Sequence, residues 1–284
     1  MRIRLFLLFM LCADFSWSQT TLKVDVRMIE VYAAVSDSRG RPMTKLQSDD
    51  FHVLEDNRPQ QIRVFEPQSS AMTIALLVDT TGSMAADLPR VKNAVARLLD
   101  AVKPEDNVGL FTFANGLNRL SNFSTDRSTT LKAIFKARAT GQTALFDSLA
   151  QLSRQISRDG GKKAILLFTD GDDNSSVLSL EASVKSVQRT GVPIYTVLYG
   201  SALKDPRLSQ RLEKISVLTG GIPFKVKDAG GVAAAFARVG EDMQNMYLLG
   251  YQSDSENQDD WRSIKVTLPN FPKLKLRAKE GYWR

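Results

Sequence analysis

Two short runs of mainly apolar residues constrain the fold of this chain most. They are Thr73–Val78 (TIALLV) and Ala164–Phe168 (AILLF), and each is followed by residues with the apolar spacing of an amphipathic helix. A strand without polar alternation is buried on both faces, which is typical of a parallel sheet covered by helices on both sides. We therefore expect an α/β fold with a doubly wound, mostly parallel sheet. Ligands of such sheets bind where strands end and helices begin.

The two flanks of this region have a different pattern, with short strand-like runs separated by turns. Neither flank is long enough for a convincing core of its own, so we predict that they pair into a small β-sandwich domain. The predicted boundaries are 19–70 for the N-terminal flank, 71–246 for the α/β domain and 247–284 for the C-terminal flank. The strand-like runs are Phe51–Leu54, Gln61–Phe65, Tyr247–Gln252, Ile264–Leu268 and Leu274–Ala278.

Residues 1–18 have the layout of a secretory signal peptide. Two arginines precede the apolar run Leu5–Cys12, and Ser16 and Ser18 stand at the small-residue positions before a cut at Ser18–Gln19. We therefore expect an exported protein, located in a periplasm, in the cell envelope or outside the cell. The only cysteine lies in this segment, so the mature chain is expected to have no disulfide. No later run reaches the length of a transmembrane helix.

The formal net charge of +7 indicates a basic surface, which either favours anionic partners or, as an ordinary solvated surface, has no specific anion site. Nucleic acid is not an expected partner, because the lysines and arginines are dispersed and no nucleic-acid-binding motif is present. The sequence leaves the oligomeric state open.

Oxygen-bearing side chains lie in three of the predicted loops. Asp79, Thr81 and Ser83 follow the first apolar strand, Thr143 precedes a later helix, and Asp170 follows the second apolar strand. Each alone is an ordinary helix cap or turn residue. All three loops are expected at one edge of the sheet, where carboxylate and hydroxyl oxygens together suit Mg2+.

This set of residues resembles the metal-ion-dependent adhesion site (MIDAS) of von Willebrand factor type A (VWA) domains. The pattern is Asp79-x-Thr81-x-Ser83, then Thr143, then Asp170 in Thr-Asp-Gly, and the family more often has Ser where Thr81 stands. The resemblance extends from about Thr73 to Met246. Asp172 and Asp173 are candidates for a second shell around the ion, with a solvated acidic loop as the alternative.

The flanks are similar to those of exported VWA-related proteins that are abundant in acidobacteria. The similarity rests on four segments of the flanks and of the α/β domain. They are Asp50-Phe51 with Glu55–Gln60, Leu212–Gly221, Tyr247–Tyr251 and Gly281-Tyr282.

The resemblance implies a protein-binding module of the adhesion type and not an enzyme. Mg2+ (or Mn2+ or Ca2+) held by the five residues would accept an Asp or Glu carboxylate of a protein partner. The first alternative is a metal-free structural scaffold of the cell envelope. The second is a Mg2+-dependent phosphoryl hydrolase, which would need a second Asp where Thr81 stands.

Overall fold

The structure is a computed structural model that describes residues 28–227, 229–253 and 260–284. The predicted signal peptide, residues 1–18, lies outside the described residues. No helix in these three ranges is long and apolar enough to cross a membrane.

A six-stranded sheet forms the centre of the molecule, in the order β10-β9-β8-β5-β6-β7. All neighbouring strands are parallel except β7, which pairs antiparallel with β6 at one edge. Both apolar runs lie in the two central strands, where they are buried on both faces. The strands are β5 (Met72–Asp79), β6 (Asn107–Phe113), β7 (Leu117–Ser124), β8 (Lys162–Thr169), β9 (Ile194–Leu198) and β10 (Pro223–Lys225).

Within the residues that the structure describes, six α-helices cover the two faces of this sheet. One apolar core joins Ile74, Leu76 and Val78 to α1 (Leu88–Ala101), α2 (Arg127–Lys136) and α6 (Ala229–Gln244). The alternate residues Ala75 and Leu77 face a second core with α3 (Leu145–Ile156), α4 (Leu180–Thr190) and α5 (Pro206–Thr219). The doubly wound α/β fold predicted from the sequence is thus confirmed.

The two flanks form two further sheets of four strands each. The first has the order β13-β1-β11-β4 and the second β14-β12-β2-β3, so each contains strands from both flanks. The strands are β1 (Met28–Ser36), β2 (His52–Glu55), β3 (Arg58–Gln60), β4 (Ile62–Glu66), β11 (Met246–Gln252), β12 (Trp261–Thr267), β13 (Lys275–Ala278) and β14 (Gly281–Trp283).

The two flanking sheets share one apolar core. It contains Val31 of β1, Val53 of β2, Leu249 of β11, Ile264 of β12 and Tyr282 of β14. Alternation along each strand puts these side chains on the inner faces of a small sandwich.

The turn after β2 leads into two strands where the sequence suggested one. Asp56 and Asn57 both have positive φ and join β2 to β3 in a tight hairpin. At Gln61 the chain then crosses to the other sheet, where β4 pairs with β11. The three residues of β3 are too few for an alternating pattern, so this strand could not be predicted from the sequence.

The sandwich packs against the α/β domain through both apolar and charged contacts. Tyr32 of β1 and Leu248 of β11 point away from the sandwich core and join the core under α1 and α6. Lys163, at the start of β8, is fully buried, and its ammonium lies 2.8 and 2.9 Å from the two carboxylate oxygens of Glu30. Arg277 of β13 pairs with Asp242 of α6.

The buried Lys163–Glu30 pair yields a test of the interface. We expect Glu30→Ala to lower the free energy of unfolding by about 3 kcal/mol, because it leaves the Lys163 ammonium buried without its carboxylate. Urea unfolding followed by circular dichroism measures this change. Glu213→Ala is the matched control, since its pair with Lys225 is exposed at the surface, and it should cost less than about 1 kcal/mol. Equal costs for the two variants would contradict this account.

Candidate metal centre

The candidate site lies at the carboxyl edge of the central sheet, between β5 and β8. Asp79 is the last residue of β5, and Asp170 directly follows the last residue of β8. These two strands are neighbours, and the chain leaves β5 toward β6 on the side away from β8. The change of direction leaves a gap between the loops, which is where doubly wound sheets bind their ligands.

Asp79 is fully buried, and hydrogen bonds fix both of its carboxylate oxygens. Oδ1 accepts from the backbone N–H of Thr81 at 2.9 Å, and Oδ2 accepts from the hydroxyl of Thr169 at 2.7 Å. Burial, with a smaller contribution from the nearby carboxylate of Asp170, raises the pKa of Asp79 to about 6 despite both hydrogen bonds. In the described part of the chain no lysine or arginine forms an ion pair with Asp79.

The loop after β5 supplies two hydroxyl groups that reach toward Asp170. The Ser83 hydroxyl donates to Asp170 Oδ1 at 3.0 Å and lies 3.0 Å from the hydroxyl oxygen of Thr81. Thr81 and Asp170 are buried, whereas Ser83 is exposed. The structure therefore brings the side-chain oxygens of Thr81, Ser83 and Asp170 into one connected group, and Asp79 lies beside it, bonded to Thr81 N–H.

Thr143 lies in a loop that is bonded to the loops on both sides of it. In the same loop, Thr140 donates its backbone N–H to Thr80 O at 2.7 Å, and Gly141 O accepts from the backbone N–H of Gly82 at 3.2 Å. Thr143 is itself buried, and among the described residues its hydroxyl has no hydrogen-bond partner. The hydroxyl is therefore available to a ligand at this edge of the sheet.

Asn174 fixes the Thr143 loop to the loop after β8. Its side-chain oxygen accepts from Thr143 N–H at 2.8 Å, and its own backbone N–H donates to Thr143 O at 3.0 Å. Sequence reasoning missed both Asn174 and Thr169. Thr169 precedes Asp170 in Thr-Asp-Gly, but nothing in the sequence shows that its hydroxyl turns toward Asp79.

Asp172 and Asp173, the candidates for a second shell, make different contacts. Asp173 Oδ2 accepts from Phe146 N–H at 2.8 Å in the first turn of α3 and from the Ser176 hydroxyl at 2.6 Å. Asp172 pairs with Arg211 of α5 at 2.9 Å, and both side chains are exposed. Asp173 thus positions the helix that follows Thr143, whereas Asp172 forms a surface ion pair.

The donor set fits a hard divalent cation. It consists of two carboxylates and three hydroxyls, and oxygen donors of this kind are preferred by Mg2+, Mn2+ and Ca2+. Within the described ranges, no group of three or more His, Cys, Asp or Glu residues could hold a metal. A cation bound by Asp79 and Asp170 would thus have the neutral hydroxyls of Thr81, Ser83 and Thr143 as its further protein donors. A cation here would also offset the cost of burying the Asp79 charge.

Comparisons with known proteins agree with this architecture. Residues 74–172, which contain all five predicted ligands, match the family model of the von Willebrand factor type A domain. A stretch of 150 residues is 31% identical to the collagen alpha-1(VI) chain of Gallus gallus and covers 48% of this chain. That stretch covers only 15% of the collagen chain, so the two proteins differ widely in length.

Solved structures show the same fold at low sequence identity. A von Willebrand factor type A protein from Catenulispora acidiphila has a TM-score of 0.56 and 12% identity, over 92% of this chain and 75% of that one. The vWF domain of the type V pili tip protein Mfa5 from Porphyromonas gingivalis has a TM-score of 0.52 and 14% identity. It covers 60% of this chain and 94% of that one. The similarity to exported acidobacterial proteins stays a prediction.

The contacts of Asn174 lead to a prediction about the order of the Thr143 loop. In Asn174→Ala the Thr143 N–H loses its acceptor, so we expect this amide to exchange hydrogen faster, with a local cost of about 1 kcal/mol. Hydrogen–deuterium exchange resolved at Thr143 measures the change. Asn122→Ala, at the exposed edge strand β7, is the control and should leave the Thr143 rate unchanged. An unchanged rate in Asn174→Ala would show that this bond does not hold the loop.

Proposed function

We propose that this chain, which contains a von Willebrand factor type A domain, is a metal-dependent protein-binding module of the adhesion type. Asp79, Thr81, Ser83, Thr143 and Asp170 would hold Mg2+, with Mn2+ and Ca2+ as alternatives. The partner would be a protein that presents an Asp or Glu carboxylate to the ion.

The observation that carries this proposal is the oxygen group formed by Thr81, Ser83 and Asp170 beside the buried Asp79. These side chains come from two strands and meet only because β5 and β8 are neighbours. An enclosed carboxylate without a lysine or arginine partner is costly unless a cation compensates its charge. If Asp79 only capped a helix or a turn, the carboxylate of Asp170 would not be needed beside it.

The residues of the site have separate tasks in this proposal. When bound, the ion supplies a positive centre that attracts a carboxylate. Asp79 is held in one orientation by Thr81 N–H and the Thr169 hydroxyl, so it binds the ion without rearrangement. The hydroxyls of Thr81, Ser83 and Thr143 add oxygens without adding negative charge. Repulsion of an incoming acidic side chain is therefore weaker than in a site built from many carboxylates.

The proposal of an adhesive rather than an enzymatic role has two supports. A collagen chain and a pilus tip protein are among the proteins to which the chain is similar. The site also has Thr81 where a phosphoryl hydrolase of similar fold would need an acidic residue. The signal-peptide pattern of residues 1–18 supports an exported location, in a periplasm, in the envelope or outside the cell.

Calorimetric titration of Mg2+ into the protein tests this proposal. We expect saturable binding at one site, lost in Asp79→Asn and weakened about tenfold or more in Thr143→Ala, since both remove a ligand from the ion. Asp106→Asn is the matched control. Asp106 is another buried carboxylate, but it accepts from Met72 N–H at the opposite edge of the same sheet. Its variant should bind Mg2+ like the unchanged protein.

Two results would contradict the proposal. Mg2+ binding that persists in Asp79→Asn would place the ion elsewhere. Mg2+-dependent release of phosphate from a phosphate ester, abolished in Asp79→Asn, would show that the site is enzymatic.

A further inference from the structure

The tip of the hairpin between β6 and β7 supports the loop that carries Thr143. Oδ1 of Asn115 accepts from the backbone N–H of Gln142 at 2.8 Å. The carbonyl oxygen of Ala114 accepts from the backbone N–H of Ala144 at 2.8 Å. Thr143 lies between Gln142 and Ala144, so the hairpin tip holds the chain on both sides of this residue.

Asn115 is followed by Gly116, and this is the only Asn-Gly pair in the sequence. Asn115 is exposed at the hairpin tip. A Cβ added at Gly116 would have no other atom within 4 Å. The space around Gly116 is therefore open, and no side chain of its own shields its backbone nitrogen.

The groups that react when an Asn-Gly pair deamidates are unbonded at this hairpin tip. The nucleophile is the backbone nitrogen of the glycine, which attacks Cγ of the asparagine. Within the described ranges, neither the Gly116 N–H nor the leaving group Nδ2 of Asn115 has a hydrogen-bond partner. The Gln142 N–H that binds Oδ1 is placed to stabilise the negative charge that develops on this oxygen during the attack.

We propose that Asn115 deamidates spontaneously and that the product loosens the Thr143 loop. The Gly116 nitrogen forms a bond to Cγ and gives its proton to a solvent base. Nδ2 takes a proton from solvent and leaves as ammonia, which closes a succinimide ring. Water then opens the ring at one of its two carbonyl carbons and yields an aspartate or an isoaspartate. Water is the only co-reactant.

The isoaspartate product changes the contact with the Thr143 loop. Its main chain runs through Cγ and is one carbon longer, and its free carboxylate is attached at Cα. The contact is tight, because a Cβ added at Gly141 would lie 2.8 Å from Oδ1 of Asn115. A longer main chain at this point must displace the hairpin tip or the loop. The aspartate product differs, since its carboxylate still accepts from Gln142 N–H.

Peptide mass spectrometry of the native protein, incubated at mildly alkaline pH, tests the reaction. We expect conversion of the amide to an acid about tenfold or more faster at Asn115 than at Asn122, which is exposed but precedes Phe123. Gly116→Ala should slow the conversion about tenfold or more, because the methyl group shields the nucleophilic nitrogen. This variant has room for its Cβ, so thermal unfolding should be unchanged. Equal rates at Asn115 and Asn122 would overturn the proposal.

Hydrogen–deuterium exchange without metal tests the effect on the loop. Ion exchange separates the isoaspartate fraction from the unchanged protein by its added negative charge. We expect the amides of Gln142 and Ala144 to exchange about fivefold or more faster in this fraction. Asn115→Asp is the matched control, because it adds the charge without lengthening the main chain, and its exchange should be that of the unchanged protein. Equal exchange in the isoaspartate fraction would contradict the loosening.

The consequence for the ion rests on the proposed function. Where the unchanged protein binds Mg2+, the isoaspartate fraction should bind it about tenfold more weakly, as Thr143→Ala does, in a calorimetric titration. Undiminished binding in that fraction would contradict the link between the hairpin tip and the ion. If the unchanged protein binds no Mg2+, the proposed function fails, whereas the mass and exchange measurements still decide the deamidation and its effect on the loop.

Discussion

The parallel pairing of β5 with β8 is the constraint on which the candidate metal centre depends. The two strands are paired in register from Met72↔Lys162 to Val78↔Phe168, so their carboxyl ends stop at the same level. Asp79 and Asp170 follow these ends directly. The apolar side chains of both strands keep this register, because a slip by one residue would move each side chain into the core on the opposite face, which is packed for different side chains. The position of the two carboxylates is therefore a consequence of how the core packs.

Hydrogen bonds between the three loops add order that the strands alone do not provide. The first loop is bonded to the Thr143 loop through Thr80 and Gly82, and Asn174 bonds the Thr143 loop to the third. Each loop is thus held by at least one of the others. Loops that are already ordered lose little conformational entropy when an ion binds between them. A site with few donor side chains needs this order to bind an ion tightly.

Much of the fold could be predicted from the sequence, because it follows from local patterns. The apolar runs identified β5 and β8, and Asp205-Pro206 with Gly220 marked both ends of α5. The five candidate ligands could be named because their motif is local and their loops share one edge. The roles of Thr169, Asn174 and Asp173 could not be predicted, since they depend on side-chain directions between distant loops.

The arrangement of the sandwich also determines when this chain can fold. Val31 of β1 pairs with Leu249 of β11, and Ala33 pairs with Ala278 of β13, so β1 finds its neighbours only in the last part of the chain. During synthesis the N-terminal strands emerge first, and the edges of β1 stay unpaired until the whole α/β domain has been made. Such long-range pairing slows folding and exposes apolar strands to aggregation in the meantime.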